Sequence, residues 1–146
     1  MTVIRSCMIL ALICSLSWAG CSKPDPFHTL SGNWTLDRYV DIDNETVSPA
    51  PGTLPRDVSL TFSDNGRRGT FEGVTATNLL FGSYKLFDEQ GLETTEINGS
   101  LRGEPDWSDD VWPSLESAIA YLITPDFELE IYFDEGRSKM VFVRER

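Results

Sequence analysis

The chain has little cysteine and histidine. Its 146 residues include three cysteines and one histidine, and Cys7, Cys14 and Cys21 all lie within the first 21 residues. The rest of the chain therefore has no thiol for a disulfide or a thiolate metal site, and a lone His28 cannot build a histidine triad or a multi-histidine metal centre. We expect no catalytic residue, no cofactor and no metal, and a fold stabilised by packing.

Basic residues are also scarce. The chain has 12 Lys and Arg against 23 Asp and Glu, which gives a net charge of −11 at pH 7. Such a surface repels nucleic acid and anionic lipid headgroups, so no nucleic-acid partner is expected. The acidic residues are dispersed in short clusters such as Asp106, Asp109 and Asp110, a pattern typical of solubility.

Only one long apolar run is present, and it lies at the start of the chain. A single positive charge, Arg5, precedes an apolar stretch over residues 7–18, and small residues follow. The stretch is too short for a transmembrane helix, and the pattern predicts an export signal over residues 1–20.

The end of this leader, Ala19-Gly20-Cys21, resembles the lipobox of bacterial lipoproteins. The resemblance implies that Cys21 is acylated and anchors the protein to a membrane, in the cell envelope. The implied location is the outer membrane, facing the periplasm or the cell surface. The alternative is an ordinary secretory signal with an incidental cysteine. Residues 21–29 carry two prolines and polar neighbours, so we expect a short tether.

In residues 30–146, which we expect to form one domain, apolar residues tend to recur at every second position. Apolar residues alternate with polar ones in three clear strands, and weaker strands are predicted over residues 68–76, 79–87 and 92–101. The positions assigned to the inner face are Trp34, Leu36, Val40, Ile42, Val58, Leu60, Phe62, Phe127, Leu129, Ile131 and Phe133. Tyr39 is assigned to the outer face. Alternation favours a mainly β fold with one helix (α+β), its antiparallel sheet closed into a small barrel or sandwich.

One segment has helical spacing. Over residues 110–122 the apolar positions are Val111, Leu115, Ala118, Ile119 and Leu122, and Pro113 suits a first turn. We expect an amphipathic helix that covers one open side of the sheet and fills its interior. The acidic, proline-containing segment 43–57 is expected to be a surface loop.

Three motifs and two tryptophans give the domain a family resemblance. They are residues 30–36 (Leu-Ser-Gly-Asn-Trp-Thr-Leu), 58–62 (Val-Ser-Leu-Thr-Phe) and 78–84 (Asn-Leu-Leu-Phe-Gly-Ser-Tyr), with Trp107 and Trp112. In this order they resemble the META-domain (HslJ-like) family. The resemblance implies a small β-rich envelope domain that is not an enzyme. A rival resemblance, through Leu30, Gly32 and Trp34, is to lipocalin-like lipoproteins, which would keep a cavity for a small apolar ligand.

Other candidate sites are weak. Glu128 and Glu130 could pair as acid and base, as could Asp106, Asp109 and Asp110, but both sets are expected to be solvated. Residues 41–45 begin like a calcium loop, but residue 46 is not the required glycine. Glycines 66, 69, 73 and 82 are expected at turns and bulges, not in a phosphate loop.

Two functions therefore stay open. The first is a non-enzymatic envelope lipoprotein whose partner is another envelope protein. The second is a lipocalin-like carrier of a small apolar ligand. A filled interior would favour the first, and a ligand-sized cavity would favour the second.

Overall fold

Alternating apolar and polar residues build the structure, a computed structural model that describes residues 29–144. Within them, nine strands form one antiparallel sheet. The strands are β1 (Gly32–Asp41), β2 (Thr46–Pro49), β3 (Ser59–Asp64), β4 (Arg68–Val74), β5 (Leu79–Phe87), β6 (Gly91–Gly99), β7 (Ala120–Ile123), β8 (Glu128–Phe133) and β9 (Ser138–Arg144). Two short helices, α1 (Asp106–Asp109) and α2 (Val111–Glu116), lie between β6 and β7.

The sheet closes into a barrel. From β3 to β9 every strand pairs with the next in the sequence, and β9 returns to pair with β1. The first half of β1 also pairs with β3, whereas its second half pairs with β2, which lies outside the ring. The expected mainly β, antiparallel fold is confirmed. Within residues 29–144 no helix is long and apolar enough to cross a membrane.

Large side chains occupy the inside of the barrel. Five of the residues assigned to the inner face, Trp34, Leu60, Phe62, Leu129 and Ile131, are each at most 3% exposed, so their inward assignment is confirmed. Around them pack further buried residues from the other strands and from α2, namely Leu30, Leu36, Val58, Phe71, Leu80, Tyr84, Leu86, Leu92, Val111, Leu115, Met140 and Phe142.

The inward assignment of the second half of β1 is wrong. The register with β9 shifts between Leu36 and Arg38, which marks a β-bulge at that point. A bulge inserts one residue and reverses which side chains face inward. Tyr39 therefore packs against the core, while Ile42 is 39% exposed. Phe127 was also misassigned, because it precedes β8 with a φ of 62° and is 49% exposed.

The helix expected over residues 110–122 is shorter than predicted. It ends at Glu116, and β7 follows, pairing with β8 from Ala120 to Ile123. Val111, Leu115 and Ala118 are buried as expected, but Ile119 is 48% exposed and does not fill the barrel. A helix here would leave the edge of β8 unpaired, and Ile, Tyr and Leu around residues 119–123 favour a strand. The segment therefore forms a strand that pairs with β8.

Most of the glycines have a different role from the one expected. Gly66 does lie in the β3–β4 turn, with a φ of 82°. Gly69 and Gly82, however, are paired inside strands, opposite Tyr84 and Phe71 respectively. A Cβ on either would lie 2.5 Å from the ring of that partner. These glycines leave room for large rings in a narrow barrel. The segment 43–57 also contains β2, which the sequence did not predict.

Candidate functional site

Two clefts flank the helical segment between β6 and β7. The Asn78 cleft, of about 420 Å³, is lined by Asn78, Leu79, Leu101, Glu104, Trp112 and neighbouring residues. The Tyr39 cleft, of about 350 Å³, is lined by Tyr39, Val40, Ser48, Phe133, Ser138 and neighbouring residues. Asp110 and Pro113 line both clefts, so the junction of α1 and α2 separates them.

Hydrogen bonds hold the Asn78 cleft in shape. The turn between β4 and β5 contains Asn78, whose Oδ1 accepts from the backbone N–H of Arg102 at 2.7 Å and from the hydroxyl of Ser100 at 3.1 Å. The Asn78 Nδ2 donates back to the Arg102 carbonyl at 3.0 Å. The guanidinium of Arg56 donates to the carbonyls of Thr75 and Asn78, at 2.6 and 2.7 Å. The turn is therefore fixed to the segment that follows β6.

Glu104 is the centre of this network. Its carboxylate accepts from the hydroxyls of Thr75, Thr77 and Ser108 at 2.8, 2.6 and 2.6 Å, and from the Asn78 amide at 2.5 Å. Burial alone would raise the pKa of Glu104, but these donors together outweigh it and lower the pKa to about 2. A carboxylate so ionised and so fully bonded is a weak proton acceptor. Its role is to lock two loops together.

The Tyr39 cleft contains a different kind of group. The Tyr39 ring lies edge-on to Trp107 at 5.1 Å and to Phe133 at 6.4 Å between ring centres. Trp107 in turn donates from Nε1 to the Ser48 carbonyl at 3.3 Å. The Tyr39 hydroxyl is buried and has no hydrogen-bond partner among the described residues. Burial, together with the charge of Asp110, raises its pKa, so the hydroxyl keeps its proton.

Asp110 is the charged residue common to both clefts. Burial raises the pKa of its carboxyl, and the nearby charges of Asp109 and Asp106 add to the shift. Although Asp110 precedes α2, its side chain makes no capping hydrogen bond to that helix. Asp110 is nevertheless exposed, so the two clefts share one solvent-accessible carboxylate.

The other candidate carboxylates from the sequence lie elsewhere. Glu128 and Glu130 are on the outer side of β8, and each is paired with a basic residue. Glu130 is 8% exposed, so the expectation that it is solvated is wrong. Arg38 holds Glu128 through two contacts of 3.1 and 2.9 Å. Lys139 donates to Glu130 at 2.7 Å, as does the Tyr132 hydroxyl at 2.5 Å. These pairs connect three neighbouring strands, and none of their residues lines either cleft.

The residues that begin like a calcium loop form a turn. Asp41 accepts from the backbone N–H and the side-chain amide of Asn44, at 2.9 and 2.8 Å. In the described part of the chain no group of three or more His, Cys, Asp or Glu side chains could hold a metal ion. Cys21 and His28 lie outside the described residues.

The barrel has solved counterparts. A protein from Burkholderia xenovorans, solved by NMR, matches 98% of this chain and 99% of its own, with a TM-score of 0.61 and 18% identity. A DUF4847 family protein from Bacteroides vulgatus, solved by crystallography, matches 79% of this chain and 93% of its own, with a TM-score of 0.58 and 15% identity. At these identities the likeness shows the fold alone. No protein-family model and no curated protein matches the chain.

Sequence reasoning missed most of this site. The bonded partners of Glu104 lie up to 29 residues away, and no local motif joins them. Tyr39 was misplaced because the bulge before it leaves no clear signal in the sequence. Trp107 and Trp112, which help to carry the family resemblance, pack against the core at the helical segment, each beside one of the clefts.

Proposed function

We propose that this protein is a non-enzymatic, lipid-anchored module of the cell envelope, which presents the two clefts to a partner. The observation that carries the proposal is where the chain enters the barrel. Thr29 and Ser31 are bonded to Asp64 at the end of β3, with the Thr29 hydroxyl 2.9 Å from its carboxylate. A tether over residues 21–28 would leave from that end.

The clefts lie at the other end of the same strands. The Asn78 cleft adjoins the turn between β4 and β5, whereas the tether adjoins the turn between β3 and β4. The Tyr39 cleft adjoins the end of β1, a strand of ten residues that begins at the tether end. At about 3.3 Å a residue, a strand of that length spans roughly 30 Å. An anchor at Cys21 would therefore hold the clefts away from the membrane.

A partner surface is available beside the Asn78 cleft. Leu101 is 88% exposed, and Leu79 and Phe81 are also exposed on the neighbouring part of β5. Exposed apolar side chains around a rigid cleft are typical of protein interaction surfaces. We propose another envelope protein as the partner. The family resemblance that goes with this proposal is to META-domain proteins.

The chemistry of the carboxylates supports a binding role over an enzymatic one. Glu104 is saturated by neutral donors, and Glu128 and Glu130 are paired with Arg38 and Lys139. A general base needs a free lone pair within reach of a substrate proton.

A lipocalin-like carrier is the second candidate, because a closed sequential antiparallel barrel can hold a ligand. Against it, Trp34, Phe62, Phe71, Tyr84 and Phe142 fill the barrel interior. A titration with a fatty acid decides between the two. Saturable one-to-one binding that Leu60→Trp abolishes would favour the carrier, and its absence would favour the filled module.

The anchor is tested with a matched pair of cysteine variants. Cells grown with a clickable fatty acid are separated into membrane and soluble fractions. We expect the wild type and Cys14→Ser to be labelled and bound to the membrane, and Cys21→Ser to be unlabelled. Equal labelling of Cys21→Ser and the wild type would overturn the proposal of an anchor at Cys21.

The partner surface is tested by placing a photo-crosslinking residue at position 101. A crosslinker at Asn65, in the exposed turn at the tether end, is the control. We expect a specific adduct with an envelope protein from position 101 only. The same adducts from both positions would contradict a partner at the cleft end.

A further inference from the structure

Two half-exposed phenylalanine rings lie at the tether end of the barrel, where the end of β3 holds Thr29. Phe87 ends β5 and is 52% exposed. It lies two residues beyond Lys85, which pairs with the first residue of β4, so it is beside the β3–β4 turn. Phe127 is 49% exposed and precedes β8, whose first residue pairs with the part of β9 that meets the start of β1. Both rings are therefore on the rim from which the tether leaves.

Phe127 occupies a position where a side chain is costly. Its φ of 62° is in the left-handed region, which bulky residues rarely adopt. Backbone hydrogen bonds close this turn, from the N–H of Thr124 to the carbonyl of Glu128 and from the N–H of Phe127 to the carbonyl of Thr124, both at 2.9 Å. A glycine would fit here without strain. Strain combined with an exposed ring indicates that the ring has a role outside the barrel.

Basic residues lie beside the other ring. Phe87 lines a shallow cleft of about 410 Å³ together with Arg67, Arg68, Lys85 and Asp88. Arg68 and Lys85 face each other across β4 and β5. Lys85 also faces Glu93 on β6, but none of the ion pairs found in the described part of the chain involves the three basic residues. Like charges directly opposite on a sheet repel, so an anionic group between them would stabilise the pair.

The length of the tether limits what can cover this rim. Cys21 comes eight residues before Thr29 in the sequence. At about 3.5 Å a residue, an acylated Cys21 would keep Thr29 within roughly 28 Å of the lipid. So short a tether gives the membrane surface a high effective concentration at the rim, and weak contacts then suffice to hold the two together.

We propose that the tether end of the barrel lies against the lipid bilayer. The rings of Phe87 and Phe127 enter the interfacial region, where aromatic side chains are favoured. Arg68 and Lys85 contact the phosphates of anionic headgroups. This inference depends on the proposed anchor, because the anchor brings this rim to the membrane.

The acidity of the chain as a whole does not oppose this orientation. Asp109 and Asp110 line the Asn78 cleft, at the other end of strands that are several residues long. Exposed charges are largely screened beyond about 8 Å at physiological ionic strength. Asp88 and Asp126 lie near the two rings, so the rings provide most of the contact with the bilayer, and the basic residues add to it.

A photo-reactive analogue of phenylalanine, p-benzoylphenylalanine, tests the contact at position 87 or 127. The protein isolated from cells is reconstituted in vesicles of phosphatidylcholine and phosphatidylglycerol. Phe81 is the matched control, because it is also 52% exposed on β5 but lies about 20 Å nearer the cleft end. We expect at least about fivefold more phospholipid adduct from positions 87 and 127 than from position 81. Equal yields, or no adduct from positions 87 and 127, would overturn the proposal.

A charge variant tests the headgroup contact. Arg68→Gln should lower the adduct yield at position 87 about threefold in these vesicles and little in phosphatidylcholine alone. It should melt at or above the wild-type temperature, since it removes the repulsion with Lys85. Arg102→Gln is the control, because it removes the same charge from an exposed residue beside the Asn78 cleft. An equal loss in both variants would show an effect of net charge alone and would contradict a contact at Arg68.

Acylation of Cys21 is measured on the same protein, which separates this inference from the anchor. A labelled Cys21 with no adduct at position 87 or 127 would overturn the contact and leave the anchor in place. Adducts from an unlabelled protein would support the contact and overturn the anchor. Neither label nor adduct would overturn both.

Discussion

The wall from β3 to β5 and the seam between β6 and β7 close the barrel by different means. In the wall, β3 and β4 pair along their whole length, from Ser59 opposite Val74 to Asp64 opposite Gly69. At the seam, β6 and β7 share one register pair, Gly91 with Ala120. Where two strands pair along their length, their backbone N–H and C=O groups bond to each other. A short pairing leaves some of these groups without a partner in the neighbouring strand, so they must bond elsewhere.

Residues of α2 and of the segment between α2 and β7 supply further hydrogen-bond partners for β6. Leu92 donates its N–H to the carbonyl of Ile119 at 3.0 Å, and the hydroxyl of Thr94 donates to the carbonyl of Leu115 at 2.6 Å. Val111 and Leu115 are buried beneath the helix, at most 1% exposed. The seam is thus closed by side chains and by α2. The same helical segment lines both clefts, which places the candidate site beside the least regular part of the barrel.

The largest expected effect is the loss of Trp34, which lies in β1 and pairs with Leu60 of the wall. This side chain is 1% exposed and donates to the Leu30 carbonyl at 2.8 Å. Trp34→Ala should lower the free energy of unfolding by about 3–5 kcal/mol, as large-to-small core substitutions do. Chemical denaturation measures the loss. Such a change could remove most of the stability of a small domain.

Trp112→Ala is the matched control. Trp112 lines the Asn78 cleft outside the barrel interior, so its loss should cost much less than that of Trp34. If the two variants were equally destabilised, the barrel interior would not be the centre of stability.

The next effect separates the seam from the wall. Leu115→Ala should cost about 2–3 kcal/mol, the low end for buried leucines, because a helix of six residues can shift to close part of the cavity. Hydrogen exchange should then accelerate first in β6, since the seam can open locally without global unfolding.

Leu60→Ala is the control for this experiment, because Leu60 is equally buried but lies in the wall. Its loss should raise exchange across the whole barrel. Similar exchange patterns in the two variants would mean that the seam is no weaker than the wall.

Sequence alone predicts the strands with clear alternation well and the seam poorly. Alternation of apolar residues placed Leu60 and Phe62 of β3 and Leu129 and Ile131 of β8 correctly, because one face of each strand packs in the barrel interior and the other faces outward. The pattern around residues 118–123 fits both a helix and a strand, and the free edge of β8 decides between them. That edge exists only in the folded barrel, so local spacing could not reveal it.

The candidate site could not be predicted from the sequence for a related reason. The bulge before Tyr39 depends on how β1 meets β9, and the bonds to Glu104 join the β4–β5 turn to residues beyond β6. Asp106, Asp109 and Asp110 were visible in the sequence as a local acidic cluster, and all three are exposed in the structure. The partial desolvation that raises the pKa of Asp110 depends on tertiary packing and could not be predicted from that cluster.

Glu104 offers a pH test of the loops beside the seam. Glu104→Gln should cost about 1–2 kcal/mol at pH 7, because the amide cannot accept from so many donors at once. The pKa of Glu104 is lowered to about 2 from its ordinary 4.5, so the charged form stabilises the fold fully above pH 4.5 and that stability is lost as the pH falls towards 2. The difference in melting temperature between variant and wild type should therefore narrow over that window. Glu72→Gln, an exposed change in the wall, should show no such narrowing.

The smallest effect concerns a single bond across the seam. Thr94→Val keeps the shape of the side chain but removes the bond to the Leu115 carbonyl, so it should cost about 0.5–1.5 kcal/mol. Its control is Thr95→Val on the same strand, which removes an exposed contact of 2.9 Å with Ser83 and should change stability by less than about 0.5 kcal/mol. Both substitutions suit a strand equally, so strand propensity cancels in the comparison. Urea denaturation of the two variants isolates the contribution of the seam, and an equal cost for both would show that α2 closes the barrel by apolar packing alone.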